Sequence, residues 1–256
     1  MTIALFLFPF FVTALLTVLS VPMVRQWAIQ LGAVDQPGGR RVHQSPTPRL
    51  GGIAITASIL IVILGTLLIS PDRLRFVEQT IFGVDANLFG VIIGILILLG
   101  TGIWDDLHDL NPWVKLGLQT IAALTVVAFG VQIHWLSNPL GGLNIIVGNW
   151  SYLLVPIWLL MMINVMNWFD GLDGLTSGLT VIASVAIIAL SLQPFVNQPA
   201  TAWLAAIVAG AALGFLPWNW HPAKIFMGDS GSMVLGFLLG VFAIISGAKF
   251  ATAALV

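Results

Sequence analysis

Eight long apolar stretches divide the chain, at residues 3–24, 50–70, 86–104, 116–133, 150–166, 174–192, 200–218 and 231–248. None contains Asp, Glu, Lys or Arg, and Asp85 falls just before the third. A helix crossing a hydrocarbon layer of roughly 30 Å needs about 20 such residues, so each stretch predicts one membrane-spanning helix. The stretches are apolar on all sides, whereas a barrel strand alternates polar and apolar residues, so strands are not expected. The first stretch has no basic residue ahead of it and is long enough to span, which predicts a retained helix rather than a cleaved leader. The expected fold is all-α: a polytopic bundle of about eight spans, forming a single integral membrane domain over residues 1–256.

Composition points the same way. The chain is 59% hydrophobic and 7% charged, against about 25% charged in a soluble domain, so a lipid bilayer must cover most of its surface. The net charge of −1 gives no global attraction to nucleic acid. With no cysteine, disulfides and thiolate metal sites are excluded. Tryptophans near span ends, such as Trp27, Trp104, Trp150 and Trp218, form an ordinary interfacial belt.

The charges are sorted by side. Loops 1, 3, 5 and 7 hold Arg25, Arg40, Arg41, Arg49, Lys115 and Lys224; the other side holds Arg73, Arg75 and Lys249. Basic residues in short loops mark the cytoplasmic side, so the odd loops are expected there. Topology does not place carboxylates, yet Asp35, Asp105, Asp106, Asp109, Asp170, Asp173 and Asp229 share those loops. Candidate chemistry therefore gathers on one membrane face.

Four loop segments carry it. In loop 1, arginines and His43 sit among Pro and Gly, and Gly51 and Gly52 open the next helix, where free N–H groups suit an anion. The same arginines also serve as ordinary topology signals. In loop 3, the adjacent Asp105 and Asp106 repel each other at a helix C-terminus, and a divalent cation or a shared proton relieves that repulsion. In loop 5, Asn164, Asn167, Asp170 and Asp173 recur every three residues and would share one face if helical. In loop 7, Asp229 precedes small residues at a helix start, where it either caps the helix or holds a metal beside a phosphate. A divalent metal with phosphate is the simplest ligand for this set. His43, His108, His134 and His221 are too scattered for a zinc-type site.

These segments resemble the polyprenyl-phosphate N-acetylhexosamine-1-phosphate transferases, glycosyltransferase family 4. Four motifs occur in that family's order. They are Asp35-x-Pro with His43-x-x-Pro-x-Pro-Arg49-x-Gly51-Gly52; Asp105-Asp106 with Lys115; Asn167-x-x-Asp170-Gly-x-Asp173-Gly; and Asn219 with Met-Gly-Asp229-Ser-Gly-Ser. The resemblance implies transfer of a sugar 1-phosphate from a UDP-sugar to undecaprenyl (polyprenyl) phosphate. UMP is released, and a cell-envelope polysaccharide is begun. It implies Mg2+ as cofactor, with Mn2+ as a substitute. It further implies Asp229 as metal ligand, Asp105 and Asp106 as the catalytic pair, and Lys115 on phosphate. Asn167, Asp170, Asp173, Asn219, Arg49, His43 and Gly51 would line the substrate site. The active site would face the cytoplasm from a multi-pass position in the cell membrane, and a homodimer is compatible with this.

The His-x-x-Pro-x-Pro-Arg loop resembles the branch that uses UDP-N-acetylglucosamine, and the single lysine after the aspartate pair sets the chain apart from the branch that uses UDP-muramoyl-pentapeptide. Family members continue with further spans and a His-x-His loop, so the sequence is expected to be part of a longer protein. Other classes fit the chain less well. A transporter would place charges near mid-span, whereas these spans are uncharged. A lipid transferase of the Asp-Gly-x-x-Ala-Arg type is not matched, because Asp170-Gly is followed by Leu-Asp173-Gly.

Overall fold

The computed structural model describes residues 4–36, 46–136 and 145–247. Among the described residues, eight helices account for the eight apolar stretches. They are α1 (Ala4–Gln30), α2 (Gly51–Ile69), α3 (Ala86–His108), α4 (Pro112–Ala128), α5 (Ser151–Phe169), α6 (Leu175–Ser191), α7 (Pro199–Asn219) and α8 (Asp229–Ile245). Helices α1, α2, α3, α5 and α7 lie in segments long and apolar enough to cross a membrane. The other three have 17 residues each, the lower limit of about 17 for a span. The protein is a helical membrane protein.

The apolar stretches turn out to serve two different solvents. Along α1, Leu7, Phe8, Phe11, Leu15 and Leu19 are exposed, as a lipid-facing helix requires. Helix α8 is the opposite case: it packs against α2, α3 and α5, and Ser230 through Ile244 are all buried. Hydrocarbon lipid and a protein core ask for the same side chains, so both helices read alike in sequence. Helix α7 packs against α1, α2 and α6 and completes the bundle.

Three two-residue antiparallel pairs tie loops together: Val34–Asp35 with Thr47–Pro48, Thr80–Ile81 with Val84–Asp85, and Trp135–Leu136 with Ile145–Ile146. None of them spans. At the even-loop end, buried Asp85 accepts from the N–H groups of Phe76, Val77 and Leu88, so this carboxylate caps α3 and folds its own loop.

At the other end, loop 7 is the hub. Gly51 N–H donates to Phe226 O at 3.0 Å, Gly52 N–H to Met227 O at 2.7 Å, and Phe226 N–H to Pro48 O at 2.8 Å. A Cβ on Gly52 would lie 2.0 Å from the Gly231 nitrogen, and one on Gly102 would lie 2.3 Å from that of Ser230. Glycine at both positions lets α2 and α3 touch the backbone of α8 at its first turn. This contact brings the odd loops together.

Candidate active site

Helix α3 runs four residues past its apolar stretch, so Asp105 and Asp106 occupy its last turn rather than a loop. Two anions at a helix C-terminus oppose the helix dipole. Each is compensated differently. Asp106 faces the start of α8, accepting from Asp229 N–H at 3.0 Å through one oxygen and from Ser230 N–H at 3.1 Å through the other. It is 8% exposed. Asp105 accepts from Leu110 N–H at 2.7 Å and from the Lys115 ammonium at 3.2 Å.

Helix α4 begins at Pro112, with Asn111 as N-cap accepting from Trp113 N–H. This start puts Lys115 in the first turn, again the unfavourable end for its charge. Its ammonium donates to Asp105, to Asn167 Oδ1 at 3.4 Å and to the Asp229 carboxylate. Asn167 Nδ2 also donates to Asp229 Oδ1 at 2.6 Å and to Ser232 Oγ at 3.0 Å. Asp105, Lys115, Asn167 and Asp229, from four helices, thus form one cluster. They come from three of the four predicted motifs.

Beside this cluster lies a cavity of about 310 Å³ between α3, α4 and α5. Asp105, Lys115 and Asn167 line it together with Leu116, Gln119, Asn164 and Trp168. Gln119 is 1% exposed and accepts from Asn164 Nδ2 at 2.9 Å. Asn164 belongs to the loop 5 series, whereas Gln119 is not among the sequence candidates. Gln119 does carry a signal in sequence: it is a polar residue inside an apolar stretch, four residues after Lys115 and so on its face.

Several expectations are corrected here. Helix α5 ends at Phe169, so Asp173 leaves the face shared by Asn164 and Asn167. Its Oδ2 pairs with His221 Nδ1 at 2.9 Å and accepts from Ala223 N–H at 3.1 Å, which ties loop 5 to loop 7. Asn219 is 2% exposed, accepting from Gly174 N–H at 3.0 Å and donating to Ile225 O at 3.2 Å. It is a buried latch rather than a lining residue. The amide of Gly51 is occupied by Phe226 O, so it does not offer an anion site. The first amides of α8 are likewise taken by Asp106, which leaves them unavailable to a phosphate. Asp106 therefore positions the helix that carries Asp229.

Asp170 extends the same device by accepting from Gly228 N–H at 2.9 Å. Burial pushes its carboxyl well above the usual carboxylate range, and the charges of Asp106 and Asp229 add to the push; the Gly228 N–H and the Arg49 charge oppose it. Arg49 pairs with Asp35 at 3.0 Å and lies 3.9 Å from Asp109, joining loops 1 and 3. His43 lies outside the described residues.

The profile of glycosyl transferase family 4 matches residues 88–247. The chain belongs to this family. The matched span holds Asp105, Lys115, Asn167 and Asp229 and hence the whole cluster. The chain is 34% identical over 238 residues to a probable undecaprenyl-phosphate N-acetylglucosaminyl 1-phosphate transferase of Bacillus subtilis, covering 92% of this chain and 62% of that protein. It is 39% identical over 236 residues to the decaprenyl-phosphate N-acetylglucosaminephosphotransferase of Mycobacterium tuberculosis, covering 88% and 56%. A phospho-N-acetylmuramoyl-pentapeptide-transferase of Halalkalibacterium halodurans is 35% identical over 256 residues, covering 93% and 72%. The chain thus spans about 60% of the length of the first two relatives.

Proposed function

We propose that this family member transfers a sugar 1-phosphate, N-acetylglucosamine 1-phosphate in the first instance, from a UDP-sugar to polyprenyl phosphate and releases UMP. The observation that carries this reading is the Asp105–Lys115–Asn167–Asp229 cluster beside a cavity walled by Leu116, Gln119 and Trp168. Such a place suits two phosphates of different solubility, one arriving from water and one from the bilayer. The relatives named for N-acetylglucosamine favour that sugar. The muramoyl-pentapeptide relative supports a second reading with the same chemistry and a larger sugar.

The chain's own residues would work as follows. Lys115 and Asn167 hold the pyrophosphate of the donor and offset its charge. Asp105, fixed by Leu110 N–H, takes the proton of the lipid phosphate, which needs little help because its second pKa is near 6. A lipid phosphate oxygen bonds to the β-phosphorus, the bridge to the α-phosphate breaks, and UMP leaves. Positioning and charge neutralisation are the main tasks in such a transfer.

The donor set fits Mg2+, with Mn2+ as a substitute. Among the described residues no group of three or more His, Asp or Glu could hold a metal, and Mg2+ commonly takes one or two carboxylates plus substrate phosphates. Asp229 would hold it, with Asp105 beside it. When bound, the ion would neutralise the pyrophosphate.

The basic bias of the odd loops supports a cytoplasmic site. Leu110→Cys and Gly171→Cys should then resist an impermeant thiol reagent in intact cells. The reaction itself is tested by giving membranes radiolabelled UDP-sugars and polyprenyl phosphate and extracting the lipid. Label from UDP-N-acetylglucosamine in the organic phase, lost in Asp229→Asn, is expected; an unlabelled lipid fraction with every UDP-sugar would end the proposal.

A further inference from the structure

A second cavity lies at the end of the bundle away from the motif loops. It measures about 400 Å³ and opens between α1, α2 and α7, within the range of about 300–1,000 Å³ typical of small-ligand pockets. Phe8 and Val12 form one wall, and Ile61, Gly65 and Ile69 the other. Phe8, Ile61 and Ile69 are exposed, so the cleft opens sideways into the hydrocarbon layer. On α2 it lies 10 to 18 residues from Gly51, roughly 15–27 Å along the helix at 1.5 Å per residue. It is therefore separate from the active site.

One end of this apolar cleft is charged. The Arg73 guanidinium lies 4.7 Å from the centroid of the Trp203 ring. That ring is 5% exposed, and its Nε1 donates to Thr66 Oγ1 at 3.2 Å, so the platform is fixed. Stacking leaves the edge donors of a guanidinium free for an anion. Among the described residues no carboxylate pairs with Arg73, whereas neighbouring Arg75 pairs with Asp72 at 3.4 Å. The topology rule does not explain Arg73 either, because it sits on the side poor in basic residues.

We propose that this cleft binds one anionic phospholipid, its phosphate on Arg73 and an acyl chain along Gly65. Charge complementarity decides the occupant. The site is cationic at the head-group end and apolar along its length, as a phospholipid is amphipathic along the membrane normal. An apolar helix packed there would bury Arg73 without a partner, at a cost. Gly65 adds an independent observation. A Cβ built on it meets nothing within 4 Å, so helix packing does not demand glycine there. The missing side chain simply leaves the cleft open.

The test is native mass spectrometry of the purified protein released from nanodiscs containing phosphatidylglycerol or phosphatidylcholine. One phosphatidylglycerol per chain should survive release, and phosphatidylcholine should not. Arg73→Gln should lower retention about tenfold by removing the charged contact, and Gly65→Leu should do so by filling the cleft. Arg75→Gln should retain the lipid. Phosphatidylglycerol should raise the melting temperature of the wild type but not of Arg73→Gln, and millimolar inorganic phosphate should raise neither. Equal retention by wild type, Arg73→Gln and Gly65→Leu would overturn the proposal. So would equal retention of the two lipids, protection by inorganic phosphate, or cross-linking of Phe8→Cys between two copies, which would make the cleft a subunit interface.

Discussion

Asp106 holds the backbone of Asp229 at 3.0 Å, although 123 residues separate them. Together with its bond to Ser230, this contact makes Asp106 a cap on α8. Asp106→Asn leaves one good acceptor for two N–H groups. Losing a charge-assisted bond of this kind costs about 1–3 kcal/mol. Thermal unfolding in detergent should show that loss, and turnover should fall at least tenfold. Stability and turnover should fall together. Lost turnover with unchanged thermal stability would return Asp106 to the chemical step.

Lys115 occupies the space between Asp105 and Asp229 that a divalent cation would share. On the proposed function, its positive charge would both assist phosphate binding and compete with the metal. At an effective dielectric near 20, two charges about 4 Å apart interact by about 4 kcal/mol. Lys115→Gln should therefore bind Mn2+ at least fivefold more tightly, measured by electron paramagnetic resonance, while turning over more slowly. Weaker Mn2+ binding in the variant would show that Lys115 does not compete for the carboxylates.

The first turn of α8 depends on backbone contact with two other helices. Gly52→Ala and Gly102→Ala would each drive a methyl group into backbone atoms that cannot rotate away. Overpacking of this kind costs typically about 1–3 kcal/mol. Gly100→Ala and Gly117→Ala meet nothing within 4 Å and remove a helix-weakening glycine. The first pair should melt at lower temperature than the wild type, and the second pair at the same or higher temperature. A reversed order would refute the close-contact account.

What the sequence announced, and what it hid, follows from these contacts. All eight helices were legible, because a run of about 20 apolar residues has few other uses. Their ends were less so. Helix α1 continues to Gln30 through Arg25 and Trp27, and α3 to His108 through Asp105 and Asp106, because a helix need not stop where the hydrocarbon does. The convergence of acidic residues marked the end of the bundle where the Asp105–Asp229 cluster forms. It could not separate Asp105 and Asp229, which meet at Lys115, from Asp106 and Asp170, which hold backbone. All four look alike as letters. The difference lies in the N–H groups that face Asp106 and Asp170, which sit at the start of α8, more than 50 residues away. Asn219 misled for the same reason, since its partners are Gly174 N–H and Ile225 O.

Asp170 gives the site a pH dependence that can be read in stability. Its carboxyl sits well above the usual range because it is buried near Asp106 and Asp229. A carboxyl whose folded pKa is raised binds its proton more tightly when folded. Its favourable contribution is full at acid pH and is lost as pH rises through the folded value. Asp170→Asn cannot acquire that charge and still accepts from Gly228 N–H. Without divalent cations, the variant's melting temperature should climb relative to that of the wild type as pH rises from 4 to 8. A melting-temperature difference that stays constant from pH 4 to 8 would remove the raised carboxyl from the account.

Asp105 decides between two courses of the reaction. Its carboxylate is bonded to Leu110 N–H and Lys115 and lines the cavity between α3, α4 and α5. As a base it only completes an ionisation that the lipid phosphate nearly achieves alone, its second pKa being near 6. Asp105→Asn should then be slow at pH 6 and recover part of its rate by pH 8.5, because the acceptor ionises unaided. As a nucleophile, the same carboxylate would attack the β-phosphorus and release UMP before any lipid arrived. No pH would restore Asp105→Asn in that case. Rapid mixing of the full-length protein with UDP-sugar and Mg2+, without polyprenyl phosphate, separates the two. Direct attack predicts no UMP until lipid is added. One equivalent of UMP per enzyme in the first turnover would instead establish a covalent intermediate, and a flat pH profile for Asp105→Asn would agree with it.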